Sequence, residues 1–148
     1  MKLVLDTNLW VEHLRRDALA SLLPGLRGKY QLWMDALVAA ELIAGCRSPS
    51  ERRVVDALIA PFARADRVRA ATATDLADGG RALSKLRERG IHLRNPAGAL
   101  IDATIAVTTL RVGALLVSQN ARDFEKLAEV LPLRWETLPA FSARITGP

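Results

Sequence analysis

The sequence predicts an α/β fold in which helices cover both faces of a mostly parallel sheet. Apolar segments of about four to six residues, typical of buried strands, alternate with longer segments whose apolar residues recur with helical periodicity. Parallel strands need crossover connections, which such helices supply with a right-handed sense. The chain has 148 residues, of which 50% are hydrophobic and 25% charged, so we expect one domain with a substantial core.

The strands are predicted from short apolar segments that are bounded by polar residues or glycine. The first, "KLVL", ends at Asp6, and the fourth, "ALLVS", follows Gly113. "RVRAA" is a candidate third strand, and "LRWETL" is the last strand. The predicted strands lie at about 2–5, 30–34, 67–71, 114–118 and 133–138.

The helices are predicted from amphipathic periodicity together with signals at their ends. Asp35 is a natural N-cap for the second helix, and Ser48 and Pro49 are the cap and first-turn residues of the third. Gly90 and Gly113 lie where the fourth and fifth helices end. The predicted helices lie at about 8–16, 36–45, 48–62, 73–89, 97–110 and 121–129.

The chain contains no internal repeat, low-complexity segment or linker, so residues 1–138 are predicted to form one domain. The residues from Pro139 onward are predicted to form a loose C-terminal tail, 139–148. The single cysteine, Cys46, excludes an internal disulfide and fits a reducing compartment. Asp6 interrupts the only apolar stretch near the start, so we expect no signal peptide and a cytoplasmic protein.

The chain is basic, which favours phosphate-bearing partners or an acidic protein. It has 21 lysine and arginine residues against 16 aspartate and glutamate residues, a net charge of +5 and a pI near 10.1. Several of these cations lie in the segment 84–94, "SKLRERGIHLR". That segment is either a solvated helix face that continues into a loop or a patch that faces RNA.

Polar residues follow two of the predicted strands at their carboxyl ends. Asp6 follows the first strand, and Ser118 ends the fourth. Parallel sheets bind ligands beyond the carboxyl ends of strands where the strand order reverses, so the two residues mark a site if their strands are neighbours. Asp6 could also simply cap the first helix, and Asn120 with Asp123 resembles an N-cap followed by an acid three residues later.

Two further acids lie on predicted helices among small apolar residues. Glu41 occurs in "VAAELIAGC" and Asp102 in "ALIDATIAV", and neither helix face offers a nearby lysine or arginine. An ionised carboxylate among apolar groups is unfavourable unless a cation or hydrogen-bond donors compensate it. Together with the acids near the strand ends, these residues favour a shared carboxylate cluster.

The composition of this cluster indicates a hard cation and phosphodiester chemistry. The cysteine is alone and His13 and His92 match no zinc-ligand spacing, whereas all-oxygen ligation selects Mg²⁺ or Mn²⁺. The chain has no phosphate-binding glycine loop and no G-x-S-x-G nucleophile motif. An acid cluster that holds a hard metal on a basic protein favours phosphodiester hydrolysis.

The motifs that carry the acids resemble those of a known family. "LVLDTN", "AAELIAG", "LIDATIA" and "LLVSQNARDF" occur in the order and spacing of PIN-domain ribonucleases, and most resemble the VapC-like toxins of type II (VapBC) toxin–antitoxin modules. The resemblance extends from Lys2 to about Leu138. It implies an acidic pocket formed by Asp6, Glu41, Asp102 and Asp123. Asn120 and Ser118 would support that pocket, although the family usually has threonine where Ser118 stands.

The resemblance also implies a fold, an activity and partners. The fold would be a three-layer α/β/α sandwich, PIN-like, and the activity that of a metal-dependent endoribonuclease which leaves a 3′-hydroxyl and a 5′-phosphate. Asp6, Asp102 and Asp123 would hold Mg²⁺ (or Mn²⁺), and Glu41 would bind it through water or orient the attacking water. The expected partners are an RNA substrate, a cognate VapB-like antitoxin and a second copy of the chain in a homodimer.

The sequence leaves two rival functions open. A phosphatase of the haloacid dehalogenase type also begins with a strand that ends in aspartate, but it needs a second aspartate two positions later, where this chain has Asn8. A PIN-like protein that only binds RNA or another protein would be expected to have lost one or more of the four acids, and all four are present.

Overall fold

The computed structural model describes residues 1–26 and 28–146, which contain five strands and eight helices. The strands are β1 (Lys2–Leu5), β2 (Gln31–Asp35), β3 (Val68–Arg69), β4 (Leu115–Ser118) and β5 (Trp135–Thr137). The helices are α1 (Thr7–Arg16), α2 (Leu22–Leu26), α3 (Ala36–Ala44), α4 (Pro49–Arg64), α5 (Ala73–Glu88), α6 (Ala99–Arg111), α7 (Ala121–Ala128) and α8 (Leu138–Thr146).

The five strands form one sheet in the order β3-β2-β1-β4-β5, and every neighbouring pair is parallel. The predicted α/β fold with a parallel sheet is therefore confirmed. The strand order reverses at β1, which lies between β2 and β4, and Leu5 is in register with Val117. Asp6 and Ser118, the residues that follow this pair, consequently lie side by side at the carboxyl edge of the sheet.

The helices form two groups that pack against the sheet. α1 and α4 both contact α3, whereas α5, α6 and α7 contact one another. Right-handed crossovers explain this division, because the chain moves from β1 towards β3 in the first half and back past β1 to β5 in the second. The result is the expected three-layer arrangement of helices, sheet and helices.

The central strands are buried on both faces. Leu3 and Leu5 of β1 and Leu116 and Val117 of β4 are fully buried, which explains why these strands are continuous apolar runs rather than alternating patterns. The sheet edge at which they end is therefore held in a rigid core, and side chains placed there have little freedom to move.

Several of the predicted helix ends are confirmed. The side chain of Asp35 accepts a hydrogen bond from the backbone N–H of Leu37 at 2.7 Å and so caps α3. Ser48 caps α4 in the same way, with Pro49 in the first turn. Gly90 follows α5 with a φ of 73°, a left-handed conformation that glycine adopts without strain.

Three segments differ from the sequence-based prediction. β3 has only two residues, and the short helix α2 was not predicted. The loose tail predicted for residues 139–148 is wrong over its described part, because α8 covers Leu138–Thr146; residues 147 and 148 lie outside the described residues. α8 is held by Phe141, which is fully buried and packs edge-on against Tyr30 with ring centroids 5.4 Å apart.

No helix in residues 1–26 and 28–146 combines the length and apolarity needed to cross a membrane.

Candidate active site

An open cleft lies at the carboxyl edge of the sheet, beside the ends of β1 and β4. It has a volume of about 350 Å³, and its walls include three of the predicted acids, Asp6, Glu41 and Asp102, together with Asn120. A second cavity, of about 400 Å³, lies between α5, α6 and the segment before β5, and it contains none of the predicted site residues. The cleft is therefore where the predicted chemistry can occur.

Asp6 accepts hydrogen bonds from the first residue of α1 and from the last residue of β4. Its Oδ1 accepts from the Thr7 N–H at 2.8 Å, and its Oδ2 accepts from the Ser118 hydroxyl at 2.6 Å. The same hydroxyl oxygen accepts from the backbone N–H of Asn120 at 2.9 Å. Asp6 thus caps α1 and also lines the cleft, so its capping role does not exclude the predicted role in a site.

Glu41 reaches the cleft from the side of α3. Its Oε2 accepts a hydrogen bond from the Thr7 hydroxyl at 2.5 Å. Thr7 consequently contacts two acids of the cleft, Asp6 through its backbone and Glu41 through its side chain. Sequence reasoning did not assign this role to Thr7, although the residue directly follows Asp6.

Asn120 bridges the other two acids. Its Nδ2 donates to Asp102 Oδ2 at 3.3 Å and to Asp123 Oδ2 at 3.2 Å. It occupies the N-cap position of α7 but makes no side-chain capping bond there, so capping does not explain this side chain. The amide instead separates and orients two carboxylates that would otherwise repel each other.

Asp123 lies behind the wall of the cleft rather than in it. Its side chain is 1% exposed, and its Oδ1 accepts from the backbone N–H of Arg94 at 2.7 Å. The ammonium group of Lys126 is 3.9 Å from the same oxygen. Asp123 therefore contacts the cluster through Oδ2 and a neighbouring loop through Oδ1.

Burial and neighbouring charges raise the affinity of Asp102 and Asp6 for protons. Burial raises the pKa of Asp102 to about 7, and the nearby charges of Asp6, Asp123 and Glu41 add to this effect. Burial also raises the pKa of Asp6, although hydrogen bonds from Ser118 and Thr7 oppose the shift. A bound cation would therefore stabilise the ionised forms of Asp102 and Asp6.

The donor set fits a hard cation in its chemistry. Within residues 1–26 and 28–146, no three histidine, cysteine or acidic side chains already stand in a metal-binding arrangement. Mg²⁺ is commonly bound by one or two carboxylates while it keeps several waters, so it needs no such cage. In the part of the chain that the structure describes, Asp6, Glu41 and Asp102 of the cleft form no ion pair, so a bound cation would stabilise these carboxylates.

Two further polar residues of the cleft were missed from the sequence. Asn8 accepts a hydrogen bond from the backbone N–H of Gln119 at 3.4 Å and so links the start of α1 to the segment after β4. Asn95 lies in the wall of the cleft, on the loop before α6. Asn8 ends the motif "LVLDTN", which could have drawn attention to it, whereas Asn95 lies in a loop and carries no periodic signal.

Comparison with known proteins identifies the family. Residues 3–130 match the PIN domain family. A comparison with curated proteins gave no match.

The fold is similar to chains in several solved structures. They include VapBC2 from Rickettsia felis bound to a DNA fragment from its promoter (TM-score 0.69, 20% identity) and VapBC-1 from nontypeable Haemophilus influenzae (TM-score 0.67, 22% identity). VapBC-5 from Mycobacterium tuberculosis is a further example (TM-score 0.61, 18% identity). Each similarity covers 93% of this chain and 98% of the other. The family match extends over most of the sequence, and the chain therefore belongs to the PIN domain family.

Proposed function

We propose that the protein is a metal-dependent endoribonuclease that hydrolyses RNA phosphodiester bonds and acts as the toxin of a toxin–antitoxin pair. The observation that carries this proposal is the convergence of Asp6, Glu41 and Asp102 on one cleft, with Asp123 directly behind it. Within the described ranges Asp6, Glu41 and Asp102 form no ion pair. Such a group of carboxylates is unfavourable for stability, so its presence favours a role in binding and catalysis.

The proposed roles are those that the family resemblance implies for these acids. Asp6, Asp102 and Asp123 would hold Mg²⁺ or Mn²⁺. When bound, the cation would lower the pKa of a water molecule and stabilise negative charge on the phosphate. Glu41 would orient the attacking water, and the hydrogen bond from Thr7 supports this role because it restrains the carboxylate.

Asn120 and Ser118 would support the site rather than react. Asn120 holds the carboxylates of Asp102 and Asp123, and Ser118 holds that of Asp6. The hydroxyl group supplies this contact, so serine serves where the family usually has threonine. Such orienting contacts typically change metal affinity or activity by about 10- to 100-fold when they are removed.

The proposed partners follow from charge and from the similar structures. A net charge of +5 attracts RNA to the protein although the cleft itself is acidic. Single-stranded loops are the proposed substrate class, because their bases can be splayed out and read. The similar chains come from VapBC structures, which supports a cognate VapB-like antitoxin, and we further propose a homodimer.

The direct test is cleavage of an end-labelled RNA by the purified protein. We expect cleavage with Mg²⁺ or Mn²⁺, none with EDTA, and products with a 5′-phosphate and a 3′-hydroxyl. Asp102→Asn should abolish cleavage, whereas Glu125→Gln, which changes an exposed acid on α7, should retain it. Full cleavage in EDTA, or by Asp102→Asn, would exclude the proposed mechanism. Mapping of RNA 5′ ends after brief expression would identify the substrate.

The second candidate is a PIN-like protein that binds RNA or a protein without catalysis. It predicts RNA binding that EDTA leaves measurable and no cleavage under any metal condition. A phosphatase of the haloacid dehalogenase type is disfavoured further by Asn8. Its side chain, where that chemistry needs an acid, accepts a backbone hydrogen bond instead.

A further inference from the structure

The loop of residues 91–98, between α5 and α6, is fixed to the candidate active site. The backbone N–H of Arg94 donates to Asp123 Oδ1 at 2.7 Å, and the Lys126 ammonium donates to the carbonyl oxygen of His92 at 2.6 Å. Leu93, between these two anchors, is buried in the core. The 91–98 loop therefore has a defined position although it lacks regular structure.

The loop also forms part of the cleft wall. Asn95, the residue after Arg94, lines the cleft together with Asp102. Gly98 leaves room for it, because a Cβ atom at Gly98 would lie 2.6 Å from the Asn95 Nδ2. The backbone of Arg94 is thus hydrogen-bonded to the buried Asp123 and is followed by Asn95, a residue of the cleft wall.

The side chain of Arg94 is exposed and has no ion-pair partner among residues 1–26 and 28–146. Arg69 and Arg111, by contrast, are already neutralised, since both contact Asp75. Lys126 is engaged as well, because it holds the loop and approaches Asp123. The backbone of Arg94 is therefore held beside the cleft, and its guanidinium is exposed without an ion pair in the described part of the chain.

An acidic cleft needs such a cation if it is to accept RNA. The carboxylates of the cleft repel the phosphates of the strand on both sides of the reacting one, and a metal ion bound among them acts only locally. A guanidinium at the rim offsets this repulsion and binds a phosphate through paired hydrogen bonds.

We propose that Arg94 binds a backbone phosphate next to the scissile one and so positions the RNA strand across the cleft. This inference rests on the proposed nuclease function. Asp123 would then have two roles. Its Oδ1 holds the 91–98 loop, and its Oδ2 accepts from Asn120 of the acid cluster. It also assigns a role to the arginine-containing segment 84–94, whose end lies at the site.

The test measures RNA binding separately from cleavage. Fluorescence anisotropy would follow a 5′-labelled single-stranded RNA in EDTA, with every variant made in the Asp102→Asn background. Arg94→Gln should weaken binding roughly tenfold, the effect of one charge-assisted hydrogen-bonded contact. It should also reduce the slope of log Kd against log salt by about 0.7, the value for one phosphate of a single strand. Arg94→Lys should keep the slope and restore part of the affinity.

Arg53→Gln is the matched control. Arg53 is also exposed and has no ion-pair partner within the described ranges, but it lies on α4, which is not part of the cleft wall. Arg53→Gln should change Kd by less than about twofold and the slope by less than about 0.2, because it removes no phosphate contact. Equal effects of Arg94→Gln and Arg53→Gln, or no RNA binding by the parent, would overturn the inference.

Cleavage kinetics separate this inference from the proposed function. With Asp102 intact, Arg94→Gln should raise KM by about the same factor as Kd and leave kcat nearly unchanged. If the parent cleaves RNA and Arg94→Gln alters neither KM nor binding, only the inference fails. If the parent cleaves no RNA but binds it in an Arg94-dependent manner, only the nuclease proposal fails.

Discussion

Asp35, the last residue of β2, accepts a hydrogen bond from the hydroxyl group of Thr108 on α6. Its other carboxylate oxygen caps α3 through the Leu37 N–H. α3 carries Glu41 and α6 carries Asp102, so one buried carboxylate connects the two helices that supply acids to the cleft. Burial raises the pKa of Asp35, and the hydrogen bonds from Thr108 and Leu37 partly offset this effect.

The first prediction concerns this connection. Thr108→Val keeps the shape of the side chain but removes the donor, which leaves one oxygen of the buried Asp35 without its partner. The free energy of unfolding should fall by about 2 kcal/mol, or about 6 °C in Tm. Thr108→Ser, which retains the hydroxyl, is the control in thermal melts and should be more stable than Thr108→Val. The opposite order would show that the hydrogen bond contributes nothing.

The second prediction concerns pH and Asp102. Its pKa is about 7 in the folded protein and 3.8 ordinarily, so between these values the folded form binds more protons than the unfolded form. The free energy of unfolding therefore falls as the pH rises through this window, and the full penalty is present above pH 7. Asp102→Asn should remove the penalty.

Chemical denaturation in EDTA at several pH values would measure this difference. Asp102→Asn should match the parent near pH 4 and exceed its stability by roughly 1 to 2 kcal/mol above pH 7, after allowance for partial exposure to solvent. A variant that is less stable than the parent at every pH would indicate that buried donors satisfy Asp102 and that the residue is structural.

The third prediction concerns metal binding without RNA. Mg²⁺ should raise the Tm of the parent, because a cation that binds only the folded form at about 100 times its Kd adds about 2.7 kcal/mol. Asp102→Asn should lose most of this shift, and Glu125→Gln, the exposed control, should keep it. An equal shift in all three proteins would place the cation outside the cleft.

The fourth prediction tests whether Asp123 takes part in the chemistry. Asp123→Ser should lower cleavage by orders of magnitude and raise the Mg²⁺ concentration needed, whereas a capping role would leave cleavage nearly intact. It should also lower stability by about 1 kcal/mol or more, because the Arg94 N–H loses its acceptor. Asn120→Ala should have an intermediate effect on cleavage. Parental cleavage by Asp123→Ser at low Mg²⁺ would leave a pocket of three acids.

The fifth prediction concerns the hydrogen bond from Thr7 to Glu41. Thr7→Val should lower kcat about 10-fold or more, because Glu41 loses the donor that orients its carboxylate. Thr7→Ser should retain most of the activity. Both variants keep the backbone N–H that Asp6 uses, so a comparison of their single-turnover rates isolates the side chain. Equal rates for the two variants would refute the orienting role.

The core of the fold and the acid cluster could be predicted because both leave repeating or local signals. β1 and β4 are apolar runs that end at polar residues, and in a parallel sheet the neighbouring ends of such strands lie together. The adjacency of Asp6 and Ser118 followed from this rule once the strands were neighbours. Glu41 and Asp102 were found because an acid among small apolar residues needs an explanation.

The contacts that complete the site could not be predicted, since they depend on tertiary packing. Nothing in the segment around Arg94 indicates that its backbone N–H reaches a carboxylate 29 residues away. α8 was missed for a related reason. Its stability depends on Phe141 packing against Tyr30 and on Arg144, whose guanidinium pairs with Glu136 at 3.0 Å, rather than on a periodic apolar face.

The hydrogen bond between Ser118 and Asp6 joins residues 112 positions apart. The site is therefore built from both ends of the chain, and its last acid lies on α7. A growing polypeptide cannot assemble the cleft until residues through Asp123 have left the ribosome. Any fragment that stops before α7 therefore lacks Asp123 and, on the proposed function, should not cleave RNA.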